Sequence, residues 1–159
     1  KNSIEYSPGV INSKGFTINK AWTTTEQHIG SWINNSDVFG GTGNNKVYCK
    51  LNAIAFNNDT TKTATVRIYE GMTVATPSPT PINALTSVMS FDTAGTITPA
   101  TGKLVFEAYA EKDGKAGKFI DMTALNLILT PGSTYTAVCL LSVANTNPVS
   151  MALFWSEDF

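Results

Sequence analysis

Charge is scarce in this sequence. Its 159 residues carry 11 basic and 12 acidic side chains, 14% of the chain, where typical domains hold about 25%. Arg67 is the single arginine and His28 the single histidine. Neutralising phosphates requires a clustered basic face, and the nearest approach to one is Lys112, Lys115 and Lys118 in "EKDGKAGK". Glu111 and Asp113 interrupt that run and glycines punctuate it, so it reads as a solvated loop, and nucleic acid is excluded as a partner. No run approaches the ~20 apolar residues of a membrane span, so no membrane segment is expected either. A chain that opens at Lys1 without methionine reads as trimmed or processed.

Catalytic residue types are equally thin. His28 would have to serve any Ser-His or Cys-His arrangement alone, and a lone histidine reads better as a surface or capping residue. Cys49 and Cys139 sit inside alternating apolar strands, whereas reactive thiols occupy exposed electropositive pockets. Two readings stay open for them: small buried hydrophobes, or a bridge if their strands are neighbours. Among the carboxylates only Glu107 and Asp121 lie in patterned strands, and a half-covered acid there reads as hydrogen-bonded structure. "GGTGNN" lacks the Lys-Ser/Thr of a phosphate loop and precedes a strand. Asp37, Asp59 and Asp92 stand too far apart for a calcium loop. Asn34-Asn35-Ser36 and Asn58-Asp59-Thr60 match the glycosylation pattern, as chance allows in a chain rich in Asn and Thr. No catalytic residue, cofactor or metal site is expected, and the chain is read as no enzyme.

What is abundant is threonine, asparagine and period-two patterning. There are 22 Thr and 14 Asn, a surface chemistry of hydroxyls and amides suited to proteins outside the cytoplasm or inside large assemblies. "KVYCKLNAIAF" alternates, with Val47, Cys49, Leu51 and Ala53 opposing Tyr48, Lys50, Asn52 and Ile54, as a half-buried strand does. "NNDTTKT" is turn chemistry, and "ATVRIYE" resumes the alternation, so the pair reads as an antiparallel hairpin. From Gly71 to Gly102 the pattern dissolves around a proline-rich extended connection, with "ALTSVMSF" a short edge strand. "KLVFEAYAE" sets Leu104, Phe106 and Ala108 against Val105, Glu107 and Tyr109.

"FIDMTALNLIL" has helix-forming residues, but Asp121, Thr123 and Asn126 spoil an amphipathic helix. "TPGS" supplies a tight turn through Pro131 and Gly132, and "TYTAVCLLSV" is a strand. "ALNLILTPGSTYTAVCLL" therefore reads as a second hairpin, and "VSMALFWSEDF" as a last strand with Met151, Leu153 and Trp155 on one face. The expected fold is all-β: an antiparallel, jelly-roll-like β-sandwich of seven or eight strands, one domain over 1–159 with a less regular segment at about 1–45.

The strand ending "AFNNDTTKTATVRIYEG", the stretch "IDMTALNLILTPGSTYTAV" and the terminal "FWSEDF" together resemble the small β-sandwich modules of tailed-bacteriophage virion proteins, of the decoration, fibre and tail-tip kind. The resemblance covers about residues 46–70 and 119–159. It implies a structural protein at the virion exterior, a homo-oligomer, often a trimer, seated on a major capsid or tail protein, with no catalytic residues to carry over. Low charge agrees, because each charge buried between subunits needs a partner. The other expectation is an extracellular carbohydrate-binding or receptor-binding module for cell-surface glycans, using Trp32, Tyr48 and Tyr69 as a stacking platform, with Trp32 the most exposed of the tryptophans.

Overall fold

The computed structural model describes residues 10–35, 38–39, 42–43, 45–83, 86–114 and 117–158. Ser36, Asp37, Leu85, Lys115 and, of the glycine loop, Gly40, Gly41 and Asn44 lie outside the described residues. In chain order the strands begin with β1 (Val10–Ile18), β2 (Gln27–Asn34), β3 (Val38–Phe39), β4 (Thr42–Gly43), β5 (Tyr48–Asn58) and β6 (Ala64–Glu70). Next come β7 (Val74–Ala75), β8 (Thr80–Pro81), β9 (Met89–Asp92), β10 (Thr96–Ile97), β11 (Lys103–Ala110) and β12 (Lys118–Asp121). A 3-10 turn at Thr123–Leu125 separates these from β13 (Ile128–Leu129), β14 (Thr134–Leu141) and β15 (Val149–Asp158).

Two antiparallel sheets carry the fold. A five-stranded sheet runs β1-β15-β5-β12, with β13 also on β5, and a six-stranded sheet runs β11-β6-β14-β2-β9-β8. Eight strands dominate: β1, β2, β5, β6, β11, β12, β14 and β15. Successive members of that set change sheet at every connection except β6 to β11. This is a jelly roll, and the expected all-β sandwich holds.

The alternation explains two departures from the sequence reading. Neither expected hairpin forms. β5 and β6 flank the Asn-rich turn but belong to different sheets, as do β13 and β14 on either side of "TPGS". The turn chemistry itself is as expected. Asn58 Oδ1 accepts from the Thr60 N–H at 3.0 Å and its amide donates to Lys62 O at 2.7 Å. Gly132 takes φ +87° behind Pro131, and the Ser133 N–H closes on Thr130 O at 3.0 Å. A turn reverses the chain, but which sheet receives the next strand depends on distant partners.

Bulges move three residues to the other face from the one period two assigns. Trp155 pairs with Leu51 while Phe154 pairs with Ala53, leaving Asn52 extra. Ile54 therefore enters the core, fully buried, and Ala53 turns outward. Val105 is extra in β11, so Leu104 joins Glu107 and Tyr109 on the outer face.

The core fills the space between the sheets. Leu51, Ile54, Phe56, Met151, Leu153 and Trp155 come from one side; Trp32, Val66, Ile68, Tyr135, Ala137, Cys139 and Leu141 from the other. Close packing demands one special position: a Cβ at Gly30 would lie 2.2 Å from the Phe16 ring. Cys49 and Cys139 are buried in opposite sheets and unpaired. Burial pushes both thiols up, Cys139 to about 12, so they act as small hydrophobes.

The proline-rich stretch is not a bare connection. Within it, residues 71–78 and 93–102 fold back as a flap over the outer face of the six-stranded sheet, where β7 pairs with β10 and Met72, Val74 and Ile97 pack on Tyr69 and Val138. "ALTSVMSF" contributes β9, which pairs with both β2 and β8 rather than standing at the edge.

Candidate functional site

The three aromatics of the expected platform do not share a surface. Trp32 is fully buried, its ring 5.0 Å from Phe16 and its Nε1–H donating to Lys14 O at 3.1 Å. Tyr69 is buried under the flap, where its hydroxyl donates to Glu26 at 2.6 Å. Only Tyr48 is exposed, at 55%. The "NNS" beside Trp32 suggested exposure, but Asn34 is itself buried and donates to Val47 O and Leu129 O, so the polar stretch is an internal tie between sheets.

His28 is also buried rather than superficial, because the flap covers it. Its Nδ1 lies 2.9 Å from Gly95 O and its Nε2 2.9 Å from Ser31 Oγ, which sits 3.0 Å from Thr136 Oγ1. A carbonyl only accepts, so Nδ1 carries the proton and the neutral ring's Nε2 accepts from the serine. Asp92 spends both oxygens on backbone N–H groups of Ser78, Ala94 and Gly95. Glu26 accepts from Tyr69, Arg67 and the Ala100 N–H, and Arg67 also pairs with Glu107. These groups fasten the flap to the sheet. Between them remains a cavity of about 420 Å³ bordered by Ser31, Ile33, Met72, Pro77, Asp92 and Thr134. No three of the described His, Cys, Asp and Glu side chains converge as a metal would need.

The fastening has a pH signature. Burial lowers the His28 pKa, the Gly95 bond and the Asp92 charge oppose it, and the Lys20 charge adds to the lowering. For Glu26 burial alone would raise the carboxyl, but the bonds from Tyr69, Arg67 and Ala100 and the Arg67 charge outweigh it and hold it below its usual range. Both groups are depressed in the folded state. His28 therefore contributes stability above its unfolded value of about 6.5, and that contribution fades as pH falls below it. Glu26 contributes above about 4.3 and loses that contribution as pH falls further. Urea midpoints measured from pH 8 to pH 4 are expected to decline from about pH 6.5, and His28→Gln to flatten the first part of that decline.

The surfaces left for partners are two sheet edges and one face. β1 in the five-stranded sheet and β11 in the six-stranded sheet are long, and among the described residues each has a strand on one side only. β1 lies over β2 and β11 over β5, so the two free edges stand at opposite flanks of the sandwich. The other edges are short: β8 is the two residues Thr80 and Pro81, preceded by Pro79, and β12 and β13 are split by the 3-10 turn. Leu104 at 46% and Tyr109 at 64% are the exposed large side chains of β11.

The outer face of the five-stranded sheet is laid out in rows across its strands. The register gives Thr17–Ser150–Asn57, then Gly15–Ala152–Ala55–Phe119, then Ser13–Phe154–Ala53–Asp121. Asp121 is the one charge among these residues, and its carboxylate is bonded to the Thr123 N–H and hydroxyl. Phe119, 68% exposed, leans on Phe154 with ring centroids 5.6 Å apart. Beside that ridge Gly15, Ala55 and Ala152 floor a hollow of about 450 Å³.

No protein-family model matches the chain, and no curated protein matches it in sequence. Solved structures match it in shape. A Bacillus endospore appendage, one of a family of disulfide-linked pili, aligns over 98% of this chain and 96% of its own at 11% identity, with a TM-score of 0.39. The Desmodium yellow mottle tymovirus structure aligns over 96% and 89% at 7% identity and a TM-score of 0.31. A family 35 carbohydrate-binding module from Clostridium thermocellum aligns over 94% and 98% at 12% identity and a TM-score of 0.28. What they share with this chain is a β-sandwich-like build. At these TM-scores they carry no argument about its function, which rests on its own residues.

Proposed function

We propose that this chain is a structural subunit of a virion exterior, of decoration type, that joins its own copies and a capsid or tail protein through its sheet edges. One observation carries the reading: among the described residues each sheet has one long strand with a free side, and the two lie at opposite flanks. Unpaired N–H and C=O groups along such strands are templates for another chain, and monomeric proteins blunt them with charge, proline or brevity. Here β8 is blunted by Pro79 and Pro81, while β1 contains no proline and one charge, Lys14, and β11 presents Leu104 and Tyr109 beside Lys103 and Glu107. Joining β11 of one copy to β1 of the next is a heterologous contact. Such contacts close into a ring, for instance a trimer, or run on as a chain, according to the rotation between copies. A surface of threonine and asparagine suits tight subunit packing because few charges need partners.

The source material, separated on a density gradient and quantified by mass spectrometry, is expected to hold this chain at a fixed ratio to a major shell or tail protein. Purified protein is expected to assemble in sedimentation velocity and electron microscopy, and Leu104→Lys/Tyr109→Lys to stop growth beyond small species. A chain that stays soluble and monomeric at every concentration, and is missing from particles, refutes the reading.

A further inference from the structure

We propose that the outer face of the five-stranded sheet is a second assembly surface, distinct from the edges, and that its occupant is the same face of another copy. This rests on the self-assembling role proposed above and adds to it a partner and a symmetry.

The argument begins with what a solvated sheet face looks like. One face of an antiparallel sheet that meets water alternates polar and charged side chains against a buried face. The three rows from Thr17 to Asp121 instead carry glycine, alanine, serine, threonine, asparagine and phenylalanine, with one carboxylate, Asp121, whose Oδ1 accepts from the Thr123 N–H and hydroxyl; Lys118 stands at the rim of the hollow and Lys50 in the next row. The centre of this face is thus uncharged, with Asp121, Lys118 and Lys50 around it, and depletion of charge is the compositional mark of an interface centre.

Shape selects the occupant. A twofold contact must be self-complementary, since the same patch serves both sides. This patch holds a ridge and a hollow side by side: Phe119 on Phe154, and the floor of Gly15, Ala152 and Ala55. A twofold axis lying in the interface between them places each copy's ridge in the other's hollow. The small floor is what permits the approach, because any larger side chain at Ala55 or Ala152 would fill the hollow. Size agrees as well. Four strands at about 4.8 Å spacing and about eight residues at about 3.3 Å rise, which takes in the Ser156–Lys50 row next to the three, give a face of roughly 19 by 26 Å. Two such faces cover about 1,000 Å², the level at which specific interfaces begin.

The test uses the full chain, with variants that separate face from edge. Ala55→Arg puts a charged side chain across the hollow, and Phe119→Ser removes the ridge from a position that is 68% exposed and contributes little to folding. Each is compared with wild type and with Leu104→Lys/Tyr109→Lys in sedimentation equilibrium, after thermal melts establish the fold. The edge variant is expected to retain a discrete pair, and either face change in that background to raise its dissociation constant roughly 30- to 100-fold, the range of an interface anchor. If face variants assemble like wild type while edge variants do not, the face proposal is overturned and edge assembly stands. If edge and face variants all match a wild type that never associates, both fail. If a chain lacking residues 1–9 loses the pair while Ala55→Arg keeps it, that segment is the occupant and docking of a second face is overturned.

Discussion

Replacing Glu157 with alanine is expected to cost about 3–5 kcal/mol of stability. The side chain is fully buried in the last strand, yet no cation is among its bonded partners. Its carboxylate accepts from the Asn12 amide at 2.7 Å, the Ser87 hydroxyl at 2.6 Å, the Val88 N–H at 2.7 Å and the Trp155 Nε1–H at 2.9 Å. Those donors come from β1, from β15 and from the segment entering β9, so one charged group ties both sheets at the same end. Alanine leaves all four stranded, and each buried unsatisfied donor costs about 1–3 kcal/mol before relaxation. Glutamine keeps one acceptor oxygen but turns N–H groups toward donors, so it should lose a large part of the same amount. Urea denaturation with an unchanged slope would measure the loss, and the midpoint of thermal unfolding should drop by roughly 10 °C. A loss under about 1 kcal/mol would mean that the stranded donors find other acceptors.

Glu157 also marks where sequence reading stops. Its neighbours Met151, Leu153 and Trp155 alternate in plain view, and the core face of the last strand follows from them. The same parity places a glutamate in the interior, and no local pattern announces that four donors wait there, because three of the four come from more than 60 residues away. The same division runs through the fold. Period two located β5, β6, β11, β14 and β15, and Asn58 and Pro131-Gly132 located the turns, since those are properties of a few adjacent residues; β1 and β2 lie in the segment read as less regular. The partner of each strand was not legible. The turn after β5 is built as a tight reversal, but whether the chain returns in the same sheet or crosses the core depends on β15, some hundred residues on. Bulges at Asn52 and Val105 are likewise set by the opposing strand. The outer face of the five-stranded sheet was half visible: Gly15, Ala55 and Ala152 are small in the sequence, but only the register lines them up beside Phe119.

Trp32→Ala is expected to cost about 3–5 kcal/mol, the range for removing a buried tryptophan. A sugar-stacking tryptophan would behave in the opposite way, losing ligand while the fold stayed intact. Here the indole has no exposed surface. It packs against Phe16 at 5.0 Å with its plane tilted 39°, and its Nε1–H donates to Lys14 O of β1. Phe16 in turn sits where Gly30 leaves no Cβ, and its ring meets Phe91 at 5.7 Å. Trp32 is thus the contact through which β2 holds the free edge strand of the opposite sheet. Removing it takes away packing area and one of the ties on β1, so amide exchange along residues 10–18 should accelerate more than exchange in β15. Tyr48→Ala is the control: with its ring 55% exposed it should change stability by less than about 0.5 kcal/mol. If edge pairing builds the assembly, Trp32→Ala should weaken it without touching the surface, because a loosened β1 must be ordered again before it can pair. An unchanged exchange rate in β1, with assembly lost all the same, would instead place Trp32 at the contact itself.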